Sequence, residues 1–286
     1  MSRDPILAPT DLSAELQILD VRWRLGTPVS EHRARYDAGH VPGAIFVDLE
    51  AVGTGAHRPG AGRHPLPEPG QVARDLAALG VDLGAPCVVV DDARGASAAR
   101  LWWLLDALGV EAYLLDGGLE ALEGPRCQDP CDRRAAATPR AVPATWPGEL
   151  VLDVDTLADQ LNDPSLCVLD ARARERYLGQ SEPIDPRAGH IPGARSLPID
   201  EVLATGRFPD PATARRILGP VGDREIVASC GSGITACVLI ALARRAGRDA
   251  RLLEGSWSGW CEDPARPVCR SVCGDELTRG STRTNS

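Results

Sequence analysis

No run of roughly eighteen apolar residues occurs anywhere in the 286-residue chain, and its start, Met1-Ser-Arg-Asp-Pro, lacks the apolar core of a secretory signal. A soluble, cytoplasmic protein without a membrane partner is therefore expected. A basic excess is missing too. Lys and Arg number 31 against 40 Asp and Glu, a net charge of −9. That balance, with a pI near 5.1, counts against nucleic-acid backbones as partners. Small anionic substrates stay open, because a local field can oppose the global one. Neither a phosphate-binding lysine loop nor a dinucleotide glycine pattern follows a predicted strand, so no organic cofactor is expected. Nine cysteines, an odd number without a disulfide-framework spacing, suit a reducing compartment.

What the chain does contain is a duplication. Gly39-His40-Val41-Pro42-Gly43-Ala44 returns 150 residues later as Gly189-His190-Ile191-Pro192-Gly193-Ala194, and Leu19-Asp20-Val21-Arg22 returns as Leu169-Asp170-Ala171-Arg172 at the same offset. Leu114-Leu115-Asp116-Gly117 matches Leu252-Leu253-Glu254-Gly255 at an offset of 138, so the first copy carries about twelve extra residues. The Gly/Pro/His-rich stretch 53–69 is the obvious place for them, as a lid or a surface insert. Strands are predicted over 18–21, 87–91 and 112–115 with helices over 71–79 and 96–108 between. The second copy gives strands over 167–170, 225–229 and 250–253, with helices over 212–218 and 234–246. Such alternation implies an α/β protein of two tandem domains, each a mainly parallel sheet with helices on both faces. The domains are placed at 1–123 and 149–275, joined by a Pro/Ala/Arg-rich linker 124–148 and followed by a disordered tail 276–286.

Ligands in parallel α/β folds sit beyond the carboxyl ends of the strands, and there the copies differ. Ile226-Val-Ala-Ser runs straight into Cys230-Gly231-Ser232-Gly233-Ile234-Thr235-Ala-Cys237. Strand, tight loop and helix in that order place the Cys230 sulfur where loop amides and a helix N-terminus converge, a field that favours thiolate over thiol. The first copy has Asp92-Ala-Arg-Gly95-Ala-Ser97 at the same place. Its glycine and hydroxyl are kept and its nucleophile is not. A Cys-x5-Arg phosphatase would need an arginine clamp where this chain has Ala236.

The repeated Gly-His-(Val/Ile)-Pro-Gly-Ala, the Asp-x-Arg strand ends, the segment Gly255-Ser-Trp-Ser-Gly-Trp260 and the cysteine loop resemble the tandem-domain rhodaneses. These are sulfurtransferases acting on thiosulfate or 3-mercaptopyruvate. The resemblance spans about residues 10–273. It implies an inactive first domain, an active second one, and a site in the cleft between them. Cys230 would attack the donor sulfur and become a persulfide, which a thiol, cyanide or a thioredoxin-like protein then discharges in a double displacement. Gly231, Ser232, Gly233, Ile234 and Thr235 would line the substrate site through their amides and hydroxyls. No basic side chain lies between 230 and 243, which resembles the mercaptopyruvate type more than the thiosulfate type. Arg176, in Glu175-Arg-Tyr-Leu-Gly179, matches the family's substrate-binding arginine, with Arg187 as a second contact. Thiosulfate transfer and a non-catalytic persulfide carrier are the alternatives.

Plainer roles are expected for other residues. Cys87, Cys167 and Cys237 read as core, with a resolving thiol as the alternative for Cys237. His40 and His190 belong to repeated turns, and turn stabilisation is the first reading for both. His40 is also the candidate acid–base group from the first domain. Arg22 and Arg172 read as structural ion-pair partners, and Trp257 and Trp260 as packing. The pairs Cys127/Cys131 and Cys269/Cys273 have a spacing within the zinc range, but the first lacks a glycine-bearing knuckle. No metal is expected there; an incidental or redox-labile pair is the default.

Overall fold

The computed structural model describes residues 3–128, 135–138 and 140–271. Two five-stranded, all-parallel sheets organise them. The first is built from β1 (Ile6–Leu7), β2 (Gln17–Val21), β3 (Ile45–Phe46), β4 (Cys87–Asp91) and β5 (Ala112–Leu115), in the order β1-β5-β4-β2-β3. The second repeats that permutation with β6 (Val151–Leu152), β7 (Leu166–Asp170), β8 (Arg195–Ser196), β9 (Glu225–Ser229) and β10 (Ala250–Leu253), in the order β6-β10-β9-β7-β8. Val88, Val89 and Val90 of β4 are fully buried, as are Ile226, Val227 and Ala228 of β9. Strands covered on both faces read as unbroken apolar runs, which is why these central strands were visible in sequence. The two-residue edge strands β1, β3, β6 and β8 have no period to detect and were not predicted.

The four predicted helices form as Pro69–Ala78, Ala98–Ala107, Pro211–Leu218 and Ala236–Arg245. Pro211–Leu218 shows the local causes: proline opens it, and the Asp210 carboxylate accepts from Ala212 N at 2.9 Å and Thr213 N at 3.0 Å. Helices that the periodicity did not show include Val29–Ala38 and the shorter Leu49–Gly53 and Ser256–Glu262.

The two halves share one core. Helix Ala98–Ala107 of the first packs on helix Ala236–Arg245 of the second, and their buried side chains belong to a single apolar cluster. An Arg244–Asp106 ion pair at 3.0 Å edges this contact. Each of these helices follows the loop at the end of a central strand, so their packing brings both loops to one seam. Within each half the Asp-x-Arg strand end is a buried pair. Arg22 meets Asp20 at 2.5 Å and Arg172 meets Asp170 at 2.7 Å, and each donates to the carbonyl before its repeated histidine, Gly39 or Gly189.

Candidate active site

Cys230 follows the last residue of β9 and is 2% exposed. Gly233 turns back over it at φ +87°, and the Gly233 amide donates to Cys230 Sγ at 3.1 Å. A positive φ with this reversal suits glycine and strains any L side chain. Trp257 and Ser258 amides hold the Cys230 and Gly231 carbonyls at 3.0 and 2.8 Å. Ser256 fixes the loop from the side: its hydroxyl accepts from Cys230 N at 3.2 Å and donates to the Leu253 carbonyl at 3.0 Å. Ser256 itself sits at φ +49°, a left-handed backbone held by those contacts.

The corresponding loop of the first half is filled from within. Asp91, the last residue of β4, is completely buried, and its carboxylate accepts from the amides of Ala93 at 3.0 Å, Gly95 at 2.7 Å, and Ser97 and Ala98 at 2.8 Å each. Asp91 stands where Cys230 stands in the second half: Asp20 pairs in register with Val90 and its repeat Asp170 with Ser229, so the residues that follow, Asp91 and Cys230, correspond, and the sequence alignment of Asp92 with Cys230 is off by one residue. A ring of amides satisfied by its own carboxylate has no donors left for a ligand.

Three side chains from the first half reach the Cys230 loop. Arg100, 1% exposed, donates to the carbonyls of Gly233 at 3.3 Å, Gly53 at 3.1 Å and His64 at 3.3 Å. Burial depresses its guanidinium below its ordinary value, against the opposing pull of the Cys237 and Cys230 sulfurs. His64 Nδ1 lies 2.6 Å from Ser232 Oγ, and its Nε2 lies 3.4 Å from Glu50. That imidazole, with help from the Trp23 indole N–H and against the effect of burial, holds the Glu50 carboxyl down at about 2. Arg63 pairs with Asp185, and its Nη2 lies 3.0 Å from where a Cβ on Gly231 would stand. None of the three was singled out from sequence. The signals were an arginine inside the otherwise apolar run 98–105, and an insert present in one copy only that carries Arg63 and His64.

The residues expected to bind substrate separate in space. Gly231, Ser232, Gly233, Ile234 and Thr235 form the loop around the sulfur. Arg176 reaches it, with Nη1 3.7 Å from the same Gly231 Cβ position; its Nε and Nη2 are spent on Glu182, and Nη2 also meets Asp185 at 2.9 Å. Arg187 is not brought there: its guanidinium donates to the carbonyls of Asp263 at 3.1 Å and Arg266 at 2.7 Å. His40 is not brought there either. Its ring stacks on Tyr36 with centroids 3.8 Å apart, Nδ1 lies 3.0 Å from the Tyr36 carbonyl, and its main chain bridges to Cys127. His190 repeats this arrangement with Tyr177 and Cys269, so the histidine of the site comes from the insert and not from the repeated turn.

The other thiols are placed differently from Cys230. Burial pushes Cys87 and Cys237 up to about 12 and Cys261 up to about 11. Cys269 is disulfide-bonded, and Cys131 and Cys273 lie outside the described residues. Among the described residues no cluster of His, Cys, Asp or Glu could hold a metal ion, and no helix is long and apolar enough to cross a membrane.

A rhodanese-like domain model matches residues 8–124 and 153–263. The chain belongs to the rhodanese family. A Pseudomonas aeruginosa protein named a probable 3-mercaptopyruvate sulfurtransferase is 41% identical over 94% of this rhodanese and 99% of its own length. A Mycobacterium tuberculosis protein named provisionally as a thiosulfate sulfurtransferase is 38% identical over 90% of this chain and 92% of that one. Among solved structures, the 3-mercaptopyruvate sulfurtransferase of Leishmania major superposes with a TM-score of 0.74 at 28% identity, covering 88% of this chain and 73% of the other. The Escherichia coli enzyme superposes at 0.69 and 28%, covering 90% and 100%.

Proposed function

We propose that this rhodanese moves sulfur from 3-mercaptopyruvate to a thiol or cyanide acceptor through a persulfide on Cys230. The observation that carries the reading is the Gly233 amide donating to Cys230 Sγ at 3.1 Å on a loop whose duplicate has aspartate instead. An amide donor stabilises a thiolate and equally the persulfide anion that replaces it. In the first step the thiolate forms an S–S bond to the mercapto sulfur, and the donor's C–S bond breaks. The electron pair leaves on the enolate of pyruvate, and the proton formerly on the mercapto sulfur ends on its methyl group. Ser232, hydrogen-bonded to His64 and through it linked to Glu50, is the proton relay for that enolate. In the second step an acceptor thiolate or cyanide takes the outer sulfur, the S–S bond breaks, and the Cys230 thiolate returns.

The names of the Pseudomonas, Escherichia and Leishmania relatives support the mercaptopyruvate donor, as does a loop with no cationic side chain of its own. The Mycobacterium relative's name supports thiosulfate as a second reading. Turnover with both donors under one set of conditions separates them. kcat/KM for 3-mercaptopyruvate is expected to exceed that for thiosulfate by about tenfold or more, and Cys230→Ser is expected to abolish both with unchanged thermal stability. The reverse preference would establish the thiosulfate reading. Loading of Cys230 without turnover would make the chain a carrier.

A further inference from the structure

The Cys230 loop and the insert that carries His64 belong to different halves, yet one buried side chain holds both. Arg100 is the third residue of helix Ala98–Ala107. Its Nη1 donates to the Gly233 carbonyl at 3.3 Å, and its Nη2 to the carbonyls of Gly53 at 3.1 Å and His64 at 3.3 Å. The guanidinium carbon stands 6.0 Å from the centroid of the Trp103 ring on the same helix. Reaching these acceptors is costly. Nε is buried without a hydrogen-bond partner among the described residues, and carbonyls rather than a carboxylate meet the charge.

The contacts close a ring. His64 Nδ1 lies 2.6 Å from Ser232 Oγ, Ser232 precedes Gly233, and both Gly233 and His64 return through their carbonyls to Arg100. Gly233 is also the residue whose amide meets Cys230 Sγ at 3.1 Å, and Cys237 Sγ donates to its carbonyl at 3.4 Å. The N–H and C=O of Gly233 are thus both held, which fixes its turn at φ +87°. A guanidinium suits this task because its planar fork presents donors in set directions. The third residue of the partner helix Ala236–Arg245 is Val238, which has no donor to send to the first-half loop. The clasp runs one way, from the half without the nucleophile to the half with it.

We propose that Arg100 is a positioning residue for sulfur transfer, locking the nucleophile's loop and the His64 insert into one frame without touching substrate. This rests on the reading that Cys230 takes up sulfur with Ser232 and His64 as the relay. Arg63 and Arg176, whose guanidinia lie beside Gly231, are anchored on Asp185 and Glu182 and not on Arg100. Loss of Arg100 therefore acts on the alignment of the reacting groups more than on donor binding.

In Arg100→Met, kcat with 3-mercaptopyruvate is expected to fall roughly tenfold to a hundredfold, with KM within about threefold. Amide hydrogen exchange read by mass spectrometry, with no donor present, should quicken together over 53–66 and 231–236, while β4 and β9 keep their protection. Arg100→Lys, which keeps a charged donor but not the fork, should recover part of kcat. Arg244→Met removes the ion pair with Asp106 at the edge of the same helix contact and should change neither readout. A folded Arg100→Met with wild-type kcat, faster exchange in only one of the two segments, or equal changes in Arg244→Met would overturn the proposal. Should Arg100→Met not fold, the wild-type protein carries the test. In mild denaturant its two segments are expected to open as one unit, and opening at separate denaturant concentrations would overturn the proposal equally. A wild-type protein that opens as one unit but takes up no sulfur from the donor would overturn the sulfur-transfer reading instead.

Discussion

Cys230 and Asp91 occupy one position in two copies of a loop, and the side chain there decides what each loop can do. Asp91 spends four amides of the first loop on its own carboxylate. Cys230 at the same place draws the Gly233 amide to its sulfur and has no carboxylate to occupy the loop's other amides. A thiol placed beside Asp91 would therefore find those amides already taken. Installing one by Asp92→Cys, in a chain that also carries Cys230→Ser, is expected to yield no sulfur-loaded protein. Mass spectrometry after donor treatment checks this, and a persulfide on the new thiol would contradict it. The absence of a nucleophile was legible because the first copy has Asp91-Asp92 and no cysteine after its strand, but the sequence alignment set Asp92 rather than Asp91 in its place. The filled amide ring was not, because Asp91 reads in sequence only as the polar end of an apolar strand. The buried role of Arg100 was hidden for the opposite reason: one arginine among Ala, Leu and Trp looks like a solvent-facing position of an amphipathic helix.

At the scale of elements, the insert and the helix Ser256–Glu262 work as one unit. The Glu262 carboxylate accepts from Gly60 N at 2.6 Å and Gly62 N at 3.0 Å, and Glu254 accepts from Leu66 N at 3.0 Å and pairs with Arg58. The contact is close enough that a Cβ on Gly259 would stand 2.2 Å from the Gly60 carbonyl oxygen and 3.1 Å from its carbon. Backbone atoms cannot yield as a side-chain end does, so Gly259→Ala should push the insert off the helix. The expected cost is about 1–3 kcal/mol of stability, as for overpacking elsewhere. Because Arg63 and His64 ride on the insert, kcat/KM should fall as well. Thermal unfolding together with steady-state kinetics tests this, and full activity with unchanged Tm would show that the contact does not seat the site. The change in repeat offset located this insert in sequence. Its partner was not readable there, because the contacts join residues about two hundred positions apart and are largely to main chain.

Across the whole molecule, the duplicated sheet order and the helix pair Ala98–Ala107 and Ala236–Arg245 put the ends of β4 and β9 at a common seam. Through that seam the first copy, which has no cysteine in its loop, brings Arg100, His64 and Arg63 to the loop of the other. The parallel sheets and the repeat were legible because buried strands and a long-period repeat leave strong signals. The division of labour across the seam was not, since no local pattern records which half a side chain faces. The most direct test of the account is the intact mass of the protein after exposure to 3-mercaptopyruvate and removal of excess donor. One added sulfur atom, located on the Cys230 peptide and released by cyanide, is the predicted result. An unchanged mass, or sulfur located on any other cysteine, would contradict it.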